Sequence, residues 1–336
     1  MSFFCYHRAA RSAFTPCFRR LYSTPGLGKK TNIQLIAELR KLTDAPLTKA
    51  RLALQESNGN LESARKWLEA ELLASGAAKA AKVEGRAANQ GVVSLTVVDG
   101  GYGHEFDPKH HQKERDGRIR VGLVEINCES DFVARTDQFS QLATALSYVV
   151  AQIPSLSHSE DPSFEPLDVS ELLQAQYGDG PLTVKSAIQN IIATIGENIS
   201  IRRAMAMSWA PQSDRAVRLG WYTHNSNSPF QGQIIGLSLL DMRTQSIGKL
   251  LEPRVEDSPL SDTAGQLSHA LAQQVVGFNP VSIMGSDETS LYEQSFMAGQ
   301  GTLVKDYLAN WREENKLQSV DVAGFIRWKV SESVPE

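Results

Sequence analysis

Two stretches of this chain follow the same plan, and that repetition limits what it can fold into more than any other feature. Val121-Gly-Leu-Val-Glu-Ile-Asn127 is matched by Ile235-Gly-Leu-Ser-Leu-Leu-Asp241, each an apolar strand running into a turn. Gln141-Leu-Ala-Thr-Ala-Leu146 is matched by Gln266-Leu-Ser-His-Ala-Leu271, a helical segment, and Ile201-Arg202 by Ile326-Arg327. The order is hairpin, helix, helical stretch and final strand, twice over. So long a period excludes a solenoid, whose repeats run to roughly 20–50 residues. It predicts an α+β core of two duplicated subdomains, each a small antiparallel sheet packed with helices. The boundary falls near Pro211-Gln-Ser-Asp214.

Upstream, the pattern changes to short helices. Leu35, Ile36, Leu39 and Leu42 recur at helical spacing. Thr43-Asp-Ala-Pro46 reads as a turn with a proline suited to a first helical position. Ala50, Leu52, Ala53 and Leu54 supply the next apolar face, and Asn58-Gly59 stops that helix because Gly59 takes a left-handed conformation freely. Asn60 caps a third helix with a face of Leu61, Ala64, Trp67, Leu68 and Leu72. This three-helix unit resembles a ubiquitin-associated module, whose shape alone implies a generic protein-binding role. Ser75 to Ala88, rich in Ala and Lys, reads as a helical or flexible connector. The expected organisation is a start over residues 1–30, the module over 31–75, a connector over 76–90, and core halves over 91–212 and 213–336.

Length and composition suit that organisation. A chain of 336 residues has room for two or three domains, and 41% hydrophobic with 21% charged residues is the balance of a globular protein. No apolar run approaches the ~20 residues of a membrane-spanning helix. The first residues differ in kind. Met1 to Gln34 contains no acid, while Arg8, Arg11, Arg19, Arg20, Lys29 and Lys30 are basic and hydroxyl residues are frequent. That is the composition of a mitochondrial transit peptide, the alternative being a disordered basic tail. Arg20-Leu-Tyr22 before Ser23 resembles a matrix-processing site. Cleavage there removes four arginines and moves the formal charge from −4 to −8. An acidic mature chain is poorly equipped to grip nucleic-acid phosphates, so neither nucleic acid nor membrane is an expected partner. Of three cysteines only Cys128 lies beyond this start. No intrachain disulfide is then possible, and a lone Cys at a strand end reads as a small core residue.

Residues 121–133 are the most informative local stretch. Val121 and Leu123 point one way and Gly122, Val124 and Ile126 the other, so apolar residues occupy both faces and the strand is predicted to be central. Asn127-Cys-Glu-Ser-Asp131 then turns, and Phe132 and Val133 follow at once. The residues admit two readings. In one, Asp131 caps the helix that starts near Thr136 and Phe132 folds back into the core. In the other, ring and carboxylate stand out as a wedge for another protein. The duplication favours the wedge, because the second copy carries Asp241-Met-Arg-Thr244 and no ring.

No enzyme motif survives inspection. A Gly-x-x-x-x-Gly-Lys-Ser/Thr phosphate loop is absent, so no bound nucleotide is expected, and no other cofactor. Gly100-Gly-Tyr-Gly103 lacks the following helix and lysine and reads as a hairpin loop. His104, Glu105, Asp107, His110 and His111 sit among Lys109, Lys113, Arg115, Arg118 and Arg120, which reads as a solvated loop rather than a metal site.

The wording of four segments adds a resemblance. Asn127-Cys-Glu-Ser-Asp-Phe-Val-Ala-Arg135, Ile195-Gly-Glu-Asn-Ile-Ser-Ile-Arg-Arg203, Ile36-Ala-Glu-Leu-Arg-Lys-Leu-Thr43 and Phe325-Ile-Arg-Trp-Lys-Val330 resemble the signatures of the elongation factor Ts family. The resemblance spans roughly residues 33 to 330. It implies a guanine-nucleotide exchange factor, not an enzyme of covalent chemistry, acting in the mitochondrial matrix on the GTPase elongation factor Tu. It also implies that Asp131, Phe132 and Val133 enter that partner. His224, in Trp221-Tyr-Thr-His224, matches a family Tyr-x-His that touches the GTPase. Leu47 and Thr48 stand where the family presents Gly-Met-Met; Leu47 keeps the apolar contact and Thr48 does not. The family's loop at 99–120 is shorter, so this chain carries an insertion there. The alternative is a non-catalytic scaffold that uses the helical module alone.

If residues 1–30 are a transit peptide, N-terminal sequencing of the protein recovered from mitochondria finds a start near Ser23. An intact Met1 in the matrix pool excludes it.

Overall fold

A computed structural model describes residues 31–333 apart from 44, 102–116, 154–159, 179, 227, 246 and 248–258. The transit-peptide segment, with Cys5 and Cys17, and the His104–His111 cluster therefore lie outside the described residues, as does the side chain of Leu72. The chain divides into two compact units, Met1–Ala70 and Glu71–Glu336.

In the first unit, α1 (Asn32–Thr43), α2 (Leu47–Glu56) and the opening turns of α3 (Leu61–Val83) enclose Leu39, Ala50, Ala53, Leu54, Ala64 and Leu68. Small alanines at the contact let the helices approach closely. Leu42 and Leu52, expected in this core, are exposed. Gly59 is left-handed at φ +79°, and its amide closes α2 onto the Leu54 carbonyl at 2.8 Å. The Asn60 side chain accepts the Ser63 amide at 3.0 Å, the cap that starts α3. Pro46 occupies the N-cap of α2, one place before the expected first helical position. The third helix is also not short: α3 runs on to Val83, so most of the expected connector is helix, and Val83 is buried in the core of the second unit.

The second unit realises the duplication. Its first sheet has the order β3-β4-β2-β1-β6, built from β1 (Gln90–Gly100), β2 (Ile119–Cys128), β3 (Glu165–Leu167), β4 (Ile199–Trp209) and β6 (Gln231–Gly232). The second is β5-β7-β8, from β5 (Arg215–His224), β7 (Ile234–Arg243) and β8 (Ser319–Lys329). All pairings are antiparallel. In each half a hairpin is followed by helices, and the last strand returns beside the hairpin's second strand. The fold is the expected α+β arrangement, with β2 central and buried on both faces.

Local spacing leaves open how the two halves pack. Each sheet covers one face with helices. On the first lie α5 (Asp137–Gln152), α6 (Val169–Gln174) and α7 (Val184–Ile195), with Val124, Ile126, Phe139, Leu142, Leu146 and Ile192 between. On the second lie α8 (Pro259–Phe278) and α9 (Val304–Glu314), with Leu240, Met242, Leu271, Val275, Phe296 and Trp311 between. The other faces of the two sheets meet each other: Leu95, Val121, Leu123 and Met207 pack with Val217, Leu219, Leu237, Leu239 and Trp328. The layers run helix, sheet, sheet, helix. Strand β6, from the second half, also pairs with β1 of the first.

Glycines in the central strands set the distance between layers. A Cβ on Gly122 would overlap the Ser147 carbonyl oxygen and the Ala151 amide nitrogen of α5. One on Gly236, its counterpart, would lie 2.6 Å from Val276 Cγ2 and 2.7 Å from the Ala272 oxygen of α8. Gly122→Ala is therefore expected to lower stability by about 1–3 kcal/mol, the usual cost of overpacking. Gly180→Ala, which meets nothing within 4 Å, should change it little. Denaturant midpoints of the two variants check this.

Candidate functional site

The strand β2 leads straight into the site. After Cys128 the chain turns, Ser130 takes an extended conformation, and a one-turn helix α4 (Asp131–Ala134) begins. The Ser130 hydroxyl oxygen accepts the Val133 amide at 3.3 Å. Thr136 caps α5 by accepting the Phe139 amide at 3.3 Å, and its own hydroxyl donates to the Val133 carbonyl at 2.8 Å. Both caps are hydroxyls, so Asp131 caps neither helix; its carboxylate lies 3.4 Å from Arg135 on an exposed face. Residues on a helical turn point about 100° apart. With Val133 buried against the α5 and α7 core, Phe132 is driven outward and is 81% exposed. The reading in which Phe132 returns to the core is thereby corrected: Val133 takes the inward position and Phe132 the outward one.

A second segment holds this turn. Helix α7 ends at Gly196, left-handed at φ +86°, and the chain reverses into Glu197 and Asn198 before β4. Glu197 accepts both the Ser130 amide, at 3.0 Å, and the Ser130 hydroxyl, at 2.6 Å. Glu129 reciprocates by accepting the Asn198 amide at 2.6 Å, and it lies 3.4 Å from the Arg86 guanidinium. The Asn198 side chain donates to the Arg86 carbonyl at 2.8 Å. Two of the signature segments thus meet as a clasp in which each loop's carboxylate takes the other loop's backbone. Sequence reasoning missed Glu197. Its signal was an acid directly behind a helix-stopping glycine inside Ile195–Arg203.

Cys128 is buried beneath the turn, with its thiol donating to the Ser130 carbonyl at 3.2 Å. Burial, and then the Glu197 charge, push its pKa up to about 12. At neutral pH it is a protonated core group, as expected, and no nucleophile.

The remaining expected site residues lie elsewhere. His224 is exposed at the end of β5, its ring 6.4 Å from that of Tyr222. The loop that follows docks on the first half. Phe230 stacks on Trp221 at 5.7 Å and accepts the Leu95 amide, while Gln231 bonds Ser140 and Thr144 on α5. Leu47 and Thr48 form the exposed first turn of α2 in the other unit. Asp131, Phe132 and Val133 therefore share one turn, His224 ends a different strand, and Leu47 and Thr48 belong to a separate body. Among the described residues no group of three His, Cys, Asp or Glu could hold a metal ion.

Comparison with known proteins bears on this arrangement. A family model described as Elongation factor TS matches residues 129–287, which takes in the turn, the two loops of the clasp and the β5–β7 hairpin. A protein of Laccaria bicolor named Elongation factor Ts, mitochondrial is 35% identical and aligns with 98% of this chain and 100% of its own length. One of the same name from Coprinopsis cinerea is 36% identical over 93% of this chain and 95% of its own. A third, from Salmo salar, is 28% identical over 89% and 86%.

Since the Phe132 ring is exposed, Phe132→Ala should leave the unfolding midpoint of the free protein nearly unchanged. Phe139→Ala, at a fully buried ring seven residues on, should cost ~3–5 kcal/mol. Thermal and urea unfolding of the pair decide it.

Proposed function

The chain belongs to the elongation factor Ts family, and from that premise we propose that it is the guanine-nucleotide exchange factor for mitochondrial elongation factor Tu. It acts in the matrix during translation elongation and performs no covalent chemistry. The names of its relatives support the compartment. The observation that carries the reading is Phe132, a large apolar ring standing in water on a turn anchored from below by Val133 and beside the carboxylate of Asp131. Exposing such a ring costs free energy in the free protein, and burying it against a partner is favourable.

A GTPase holds GDP through its phosphate loop and a Mg²⁺ ion. Nanomolar affinity corresponds to roughly 12 kcal/mol, and an exchange factor must stabilise the empty GTPase by a comparable amount. The coupling is reciprocal: a factor that weakens nucleotide is itself expelled by nucleotide. So large a free energy calls for an interface above ~1,600 Å². On this reading Asp131 and Phe132 enter the nucleotide-binding domain near the metal. The ring displaces local structure there, and the carboxylate satisfies groups left unpaired. Leu47 and Thr48 of the helical module hold the same domain, and His224 another. This chain binds no nucleotide or nucleic acid itself.

The test is release of labelled GDP from mitochondrial elongation factor Tu, with and without the protein. Release should accelerate strongly. Phe132→Ala should slow the accelerated rate by about thirtyfold, the factor for a binding hot spot of ~2 kcal/mol. Asp131→Ala should act in the same direction but less, because water can replace a carboxylate at its partners. GDP retained in the presence of wild-type protein points instead to a scaffold built on the helical module.

A further inference from the structure

We propose that Glu197 is a positioning residue for exchange: by holding the Ser130 hydroxyl and amide, it fixes the one-turn helix that presents Phe132. This rests on the exchange reading above. A helix of four residues has no stability of its own, because nucleation costs more than one hydrogen bond returns. Helix α4 persists because Ser130 caps it and Val133 anchors it. The cap depends on Glu197 in turn. A serine hydroxyl has one proton, and here that proton is committed to the Glu197 carboxylate at 2.6 Å. Its lone pairs then face the Val133 amide, and the same carboxylate strengthens the bond by polarising the hydroxyl. Bonds to an ionised acceptor are also the stronger kind. Glu197 is kept in place by Glu129, which accepts the amide of the next residue, Asn198.

The ring and the carboxylate have different tasks. Phe132 offers the apolar surface, while Glu197 is half-buried behind the turn and bonds its backbone. Without Glu197 the turn samples several conformations. The ring then reaches the partner in the productive one only part of the time, and the equilibrium constant of the step in which it docks falls by that fraction.

The experiment measures GDP release from mitochondrial elongation factor Tu over a range of factor concentrations, with thermal unfolding of each variant. Glu197→Ala, which removes both bonds to Ser130, should lower the maximal rate per folded molecule by at least roughly tenfold, the factor for losing even one hydrogen bond to a charged group. The half-saturating concentration should move little, because the rest of the interface is intact. Ser130→Ala should reproduce the effect, and Glu197→Gln, which keeps one acceptor oxygen, should lose less. In a Phe132→Ala background, Glu197→Ala should cost under about twofold, because the group it positions is gone. Losses that multiply in the double variant overturn the proposal. So does a Glu197→Ala protein that melts lower but keeps its full maximal rate per folded molecule. A Phe132→Ala protein that exchanges normally overturns the role of the ring, and the proposal with it, whereas GDP retained in the presence of wild-type protein overturns the exchange reading itself.

Discussion

Strand β2 has no face that can meet water, and the second unit is arranged around that constraint. One side carries Val124, Ile126 and Cys128 and is covered by α5 and α7; the other carries Ile119, Val121 and Leu123 and is covered by the second sheet. Burying each such side chain is worth about 1.5–3 kcal/mol. A half built on β2 alone would leave one of those faces open, which is a physical reason for the duplicated half to pack against it. Gly122, Gly220 and Gly236 let the outer helices settle close enough to complete the arrangement.

The polar groups at the edge of this core follow from the same constraint. Glu125 lies on the sheet-facing side of β2 with no exposure, so its charge must be met. Arg203 meets it at 2.7 Å while stacking 4.3 Å from the centre of the Trp328 ring, and the Ser331 amide donates at 2.7 Å. Asn127 adds a bond to the Ser331 hydroxyl at 3.0 Å. The end of the second half is thereby tied to the strand that carries the candidate site. On the other side of the boundary Arg215 plays the matching part, binding Asp241 through two nitrogens and Asp161 through a third. Such pairs are costly to break rather than strongly stabilising.

The candidate site is the end of this rigid strand, extended by one helical turn. Its division of labour is simple: Val133 faces in, Phe132 faces out, and the carboxylates of Glu129 and Glu197 join the two loops that meet there. Because the turn grows from the most buried strand of the unit, it inherits that strand's rigidity. A group that enters another protein, the role proposed for Phe132, gains from this, since little order remains to be imposed on binding.

Much of this was legible in the chain itself. The doubled pattern around Val121 and Ile235 determined two sheets with helices, because strand and helix periods are local properties of side-chain spacing. The wording of 127–135 determined the family. The stop at Gly59 and the cap at Asn60 were equally local. What the sequence could not decide were contacts between distant residues. Leu42 and Leu52 keep the helical spacing yet face outward, because α1, α2 and the opening turns of α3 have too little shared interior to cover every apolar position. Met242 ends up fully buried although it follows the second strand's turn signal, because β7 continues to Arg243 and α8 covers it. Whether Phe132 faces the core or the solvent was open on residues alone, since an Asp-Phe pair allows both. Tertiary structure decided it: Val133 filled the inward position, and Glu197, 67 residues from Ser130, supplied the anchor that no local pattern can specify.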